Sequence, residues 1–234
     1  MTDQVLSLPV KSTKRHFLSD LNFYMLFWFF MFGSIGGFIY EGILSIIKTG
    51  GWTNHSATIW GPFCIVYGAG AIAMYALSYI LRGKNIVVQF ITYSITGSVV
   101  EYIFSLSQEL IFGSVSWDYS DHFLNIGGRI SLMVTIVWGF LGICFANFIF
   151  PPIKRLLLKM KGNIAFIITW ILIIFMIVNF IATSITVVRW KMRQLNNIAD
   201  TKIEQIIDRF YDDERMKEIF SNMCFIEIDK VKKN

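Results

Sequence analysis

Four ionisable side chains, Glu41, Glu101, Glu109 and Arg129, lie inside or at the edges of long apolar runs. A charge at the centre of a hydrocarbon layer costs roughly 2.5–3.5 kcal/mol on insertion scales, so such groups face protein or water and mark function. Glu101 is near the middle of its run, about 16 Å of helix rise from residue 112. Gln108 follows two turns later on nearly the same face. Glu41 and Glu109 lie near the ends of their runs, and Arg129 opens the next one. The segments joining these ends supply Asn54, His55, Trp117, Asp118, Tyr119, Asp121, His122 and Asn125. This placement predicts a polar pocket opening on one face of a membrane, with Glu101 as its floor and Arg129 as the cationic partner. The residues expected to touch a substrate are Glu41, Glu101, Glu109, Trp117, Asp118, Tyr119, Asn125 and Arg129. Each also has a plain structural use. A carboxyl can bond across a helix pair, Glu41 and Glu109 can be hydrated at headgroup depth, and an arginine can anchor a helix end by snorkelling.

The elements that must carry these groups follow from composition. The 234 residues are 55% hydrophobic and only 16% charged, with mean hydropathy +0.56. An ordinary soluble domain is about 25% charged, so a secreted disulfide scaffold, a disordered tail and a typical cytosolic enzyme are excluded. Apolar blocks fall at 22–47, 59–81, 86–112, 130–150 and 164–188. Each has the length, about 20 residues, at which a helix crosses hydrocarbon, and a backbone in lipid must satisfy its own hydrogen bonds. The expected fold is therefore all-α: a polytopic membrane bundle of about five transmembrane helices. Its organisation is a basic N-terminal segment (1–21), a transmembrane domain (22–188) and an amphipathic tail (189–234). In the tail Leu195, Ile198, Ile203, Ile206, Ile207 and Phe210 recur at helical spacing between charges. Segment 59–72, with Gly61 and Pro62, is a candidate re-entrant stretch, and Pro151-Pro152 is expected to end the fourth helix.

Net charge is +5, and its placement suggests orientation. With the N-terminus in the cytoplasm, segments 1–21, 82–85 and 151–163 hold nine Lys/Arg, against Lys48 and Arg129 in the outer links. Five spans then put the C-terminus outside, although Arg189, Lys191 and Arg193 follow the last block directly. The expected location is the cell membrane, multi-pass. Basic fringes beside apolar blocks suit membrane lipids rather than nucleic acid. Cys64, Cys144 and Cys224 have no metal-type spacing and suit structural thiols. No metal or cofactor is expected, and there is no P-loop, G-x-S-x-G or H-E-x-x-H motif.

Three stretches stand out: Gly36-Gly-Phe-Ile-Tyr-Glu41, then Trp60-Gly-Pro-Phe-Cys-Ile-Val-Tyr-Gly-Ala-Gly70, and a third running from Glu101 through Trp117-Asp-Tyr-Ser120 and Asn125-Ile-Gly-Gly-Arg-Ile130 to Trp138-Gly139. Together they resemble a bacterial membrane family labelled ABC-transporter type IV, also called CmpB-like. An Asn-Arg-Gly stretch frequent in the family before the Gly-Pro motif is replaced here by Lys48-Thr-Gly-Gly-Trp-Thr-Asn54. The resemblance implies the permease subunit of an ATP-driven transporter, working with a separate ATPase chain in a homo- or hetero-oligomer. Two other readings of the residues stay open. One is an intramembrane enzyme using Glu101 or Glu109 as a base on a lipid or lipid-linked substrate. The other is a non-catalytic membrane partner or sensor signalling through its tail.

Overall fold

A computed structural model describes residues 21–160 and 163–228. The basic N-terminal segment therefore lies, except for Leu21, outside the described residues. Helix α1 (Phe23–Thr49) starts where the Asn22 side chain accepts the Met25 N–H and stops at Gly50, which takes the left-handed conformation at φ 79°. Helix α2 (Ile65–Ile80) is followed by a turn and α3 (Ile86–Phe112), again capped by an asparagine, Asn85, and closed by a left-handed glycine, Gly113. Helix α4 (Leu132–Cys144) runs through a π turn (Phe145–Ile149) into α5 (Phe150–Lys159), and α6 spans Asn163–Gln194. Two short helices, α7 (Lys202–Phe210) and α8 (Asp213–Ile219), form the tail.

Four stretches are long and apolar enough to cross a membrane: α1, α3, the α4–α5 run and α6. Rows of apolar side chains such as Ile91, Ile95, Val99 and Ile103 on α3 point away from the protein, as lipid-facing residues must. The inward faces close around Phe29, Tyr75, Tyr93 and Trp138. Helices α1 and α2 touch closely. A Cβ on Gly37 would run into the Tyr67 ring, so glycine is what lets the two backbones approach.

The second block departs from the expected single helix. Helix α2 has only 16 residues, because Gly61, at φ 85°, and Pro62 hold residues 59–64 out of helical geometry. This irregular backbone lies deep. The Cys64 N–H donates to the Ser34 carbonyl at 3.0 Å, and Trp60 is bonded by Asn179. Ser34 and Asn179 each stand 15 residues before the end of their helices, at Thr49 and Gln194, about 22 Å along the axis. Exposed polar backbone is not tolerated in hydrocarbon unless protein satisfies it. Here α6 does so: the Asn179 amide donates to the Trp60 carbonyl at 2.7 Å and accepts its N–H at 3.3 Å, and Thr183 accepts the Ile59 N–H at 3.0 Å. Segment 59–64 and the shorter apolar helix α2 together fill the second apolar block.

The fourth block also runs past its expected end. Pro151 and Pro152 occupy the first turn of α5, where a missing N–H costs least. The π turn, closed by the Phe150 N–H on the Phe145 carbonyl, absorbs the break.

The tail folds back on the face where α1, α3 and α6 end. Strand β1 (Ser114–Val115) pairs antiparallel with β2 (Cys224–Phe225), Ser221 Oγ donates to the Asn54 carbonyl at 2.6 Å, and His55 Nδ1 lies 2.8 Å from Asn222 Nδ2. Trp190, Met216, Phe220 and Phe225 make a small apolar core of their own. Arg189 grips Asp208 through both carboxylate oxygens at 2.9 and 2.7 Å, and Arg193 joins it to Asp213. These guanidinium bonds hold the Asp208 carboxyl below its ordinary range.

Candidate functional site

The long link 113–131 shows how a loop can aim side chains into a bundle. Asp118 Oδ1 accepts from the Ser120 N–H and hydroxyl at 2.9 and 2.5 Å. Asn125 donates to the Ser120 and His122 carbonyls and accepts the Gly128 N–H. Gly127 and Gly128 have φ of 60° and 69°, and a Cβ on Gly128 would approach Asp118 Oδ1 and Ser120 Oγ at 2.6 Å. Trp117 Nε1 donates to the Arg129 carbonyl at 3.2 Å. Asp118, Asn125 and Trp117 are thus bonded within the link. These bonds fix its path.

That path delivers two side chains to α3. Tyr119 OH reaches Glu101 Oε1 at 3.0 Å. Arg129 pairs with Glu109 at 2.5 Å and lies over the Tyr102 ring at 5.8 Å. Among the acids of this region, Arg129 is therefore paired with Glu109. Gln108 turns to Ser114 and Ser116 in the link. Burial, and next the Glu101 carboxylate, raise the Tyr119 phenol far above its usual range, so it remains a donor at any physiological pH.

Glu101 is 6% exposed near the middle of α3. Its second oxygen accepts the indole N–H of Trp138 on α4. A Cβ on Gly97, one turn earlier on the same face, would collide with that indole. The Trp138 ring lies 5.3 Å from Tyr67 on α2, the Tyr67 hydroxyl donates to Glu41 on α1, and Tyr40 is 5.8 Å from Tyr67. A continuous chain, Glu41–Tyr67–Trp138–Glu101–Tyr119, therefore crosses from α1 to the link. Its two carboxylates are met by hydroxyl and indole donors. Glu109 and Arg129 stand beside it as a separate ion pair.

Several of these residues escape a search for charges. Tyr67 and Trp138 are apolar by the usual count, although both fall in motifs legible in the chain, Y-G at 67–68 and W-G at 138–139. Asn179 stands alone in a run of isoleucines and is fully buried; an isolated amide in so apolar a run is the signal that reasoning from charges passes over. His55 and His122 remain link residues. Desolvation lowers His55, which keeps its imidazole neutral to bond Asn222, and His122 packs 5.3 Å from the Tyr119 ring.

The helical bundle with its long apolar spans and the buried Glu101 carboxylate defines a polytopic α-helical membrane protein. A family profile described as "Putative ABC-transporter type IV" matches residues 28–184, more than half of the 234 residues, and the chain belongs to that family. No curated protein matches it, and no solved structure does so.

Proposed function

We propose that this chain is the membrane-embedded permease subunit of an ABC-type transporter, and that the Glu41–Glu101 cluster is its substrate-recognition site. The observation that carries the reading is Glu101, a carboxylate buried within a span and held by Trp138 and Tyr119. Such a group is retained in hydrocarbon at a cost, and carboxylates inside spans mark pathways. Two acids among Tyr40, Tyr67, Tyr119 and Trp138 suit a substrate with positive charge or hydrogen-bond donors, which would exchange with the phenol and indole donors. Family membership adds the expectation of an ATPase partner, since the chain has no P-loop of its own. A cytoplasmic N-terminus is supported by the basic turn at 82–85 and the basic end of α5, which carry no acid. An ATPase would then meet the chain on that face.

The test is affinity purification of the full chain from its native membrane, with nucleotide hydrolysis measured on the product. A P-loop ATPase in fixed ratio is expected. Glu101→Gln should keep the complex and its basal hydrolysis while abolishing transport by the intact complex. A chain that purifies alone and hydrolyses no nucleotide contradicts the permease role. A Glu101→Gln complex that transports normally contradicts the site.

The paired acids and the docked tail also suit a sensor that passes a signal from link 113–131 to the tail through β1–β2. An isolated, ATPase-free chain would favour that reading.

A further inference from the structure

A second polar feature lies at the opposite end of the bundle, where α2 ends, α3 begins and α5 emerges. A cavity of about 550 Å³ opens there between these helices, within the range of small-molecule sites. Arg82, Lys154 and Arg155 line it, and none of its lining residues is acidic. Lys154 is set in place by the Tyr79 hydroxyl at 2.9 Å and by the Tyr79 and Phe150 rings at 5.2 and 6.0 Å. Among the described residues Arg155 bonds the Pro151 carbonyl, at 3.4 Å. Among the described residues neither Arg82 nor Arg155 forms an ion pair. By contrast, Arg129, Arg189 and Arg193 at the other end of the bundle are all matched by carboxylates.

We propose that this cavity is a binding site for a phosphate ester anion, supplied by the headgroup of an anionic phospholipid. Arginine guanidinium groups match phosphate oxygens in a planar fork, and a basic recess between helices at the membrane boundary is suited to anionic headgroups. The lining also holds apolar Phe150 and Leu158, about one turn before and one turn after Lys154 on α5, and Leu158 is half exposed. A ligand carrying both a charge and apolar chains suits such a mixed lining. The prolines add a headgroup preference. Pro151 and Pro152 have no N–H, so the carbonyl of Asn147, another wall residue, loses its donor in both α and π registers. It is left as an acceptor for a headgroup hydroxyl. The site is independent of the carboxylate cluster and of any transport role.

The full chain is reconstituted in vesicles of phosphatidylcholine with or without phosphatidylglycerol, and retained lipid is counted by native mass spectrometry. A parallel arm measures thermal stabilisation by inorganic phosphate. Retained phosphatidylglycerol is expected to fall about tenfold or more in Arg82→Gln/Arg155→Gln. Arg82→Lys/Arg155→Lys, which keeps the charge, controls for folding and should retain most of it. Stabilisation of the wild type but not the Gln pair by inorganic phosphate, without lipid retention, would support the anion site with a soluble source. Equal retention by wild type and Gln pair, or no response to either phosphate source, overturns the proposal.

Discussion

At the scale of single residues, the structure turns on how a carboxylate is kept inside a membrane. Glu101 has two neutral donors rather than a countercharge. The arrangement satisfies the carboxylate without importing a second desolvated ion. Trp138→Phe keeps the ring and removes the N–H, and should destabilise the protein by about 1–3 kcal/mol because a buried charged acceptor loses a partner. Glu101→Gln in the same chain should cancel part of that loss, giving a coupling of about 0.5–3 kcal/mol in a thermal-unfolding double-mutant cycle. Strict additivity would mean that the indole N–H does not hold the carboxylate. Of this cluster, Glu41, Glu101 and Tyr119 were legible in the sequence, because a charge in an apolar run and a polar link beside it are local facts. The partnering was not. Arg129 was legible as a cation beside three acids, but that it pairs with Glu109 is set by the loop that Asp118, Asn125 and Gly128 fix. Which donor reaches which acid depends on loop path, and no periodicity encodes that.

At the scale of elements, hydropathy located the apolar blocks, since spans are set by length and by the backbone's need for internal bonds. Two blocks depart from simple helices at their prolines. Gly61-Pro62 keeps the first six residues of its block, 59–64, out of the helix, while Pro151-Pro152 falls in a first turn and is bridged by a π turn. The same residue type gives opposite outcomes because the first pair needs outside donors and acceptors and the second can use a helix start. Asn179 provides those bonds for Trp60. Asn179→Leu should therefore destabilise the chain by about 1–3 kcal/mol for each Trp60 backbone group left unmet. Val178→Leu, on the exposed neighbouring position, should change little. Thermal unfolding of the purified chain compares the two, and equal effects would show that Asn179 does not support segment 59–64.

At the scale of the whole molecule, the two ends of the bundle differ in kind. One gathers links 48–58 and 113–131 with the tail, its guanidinium groups matched by carboxylates and its acids reaching inward through Glu41 and Glu101. The other shows arginines that form no ion pair among the described residues, around a recess. The tail lies with those links, joined to them by β pairing and by the Ser221–Asn54 bond, and it has a private apolar core. The permease reading joins both ends: recognition inside the bundle from one face, energy supplied at the other. Electron cryomicroscopy of the full chain in a lipid nanodisc tests its foundation at Glu101. The expected map has the Glu101 carboxylate between Trp138 and Tyr119, enclosed by protein, with Glu41 joined to the same cluster through Tyr67. A map with Glu101 turned toward acyl chains, or with Glu41 and Glu101 on separate helix faces, would contradict it.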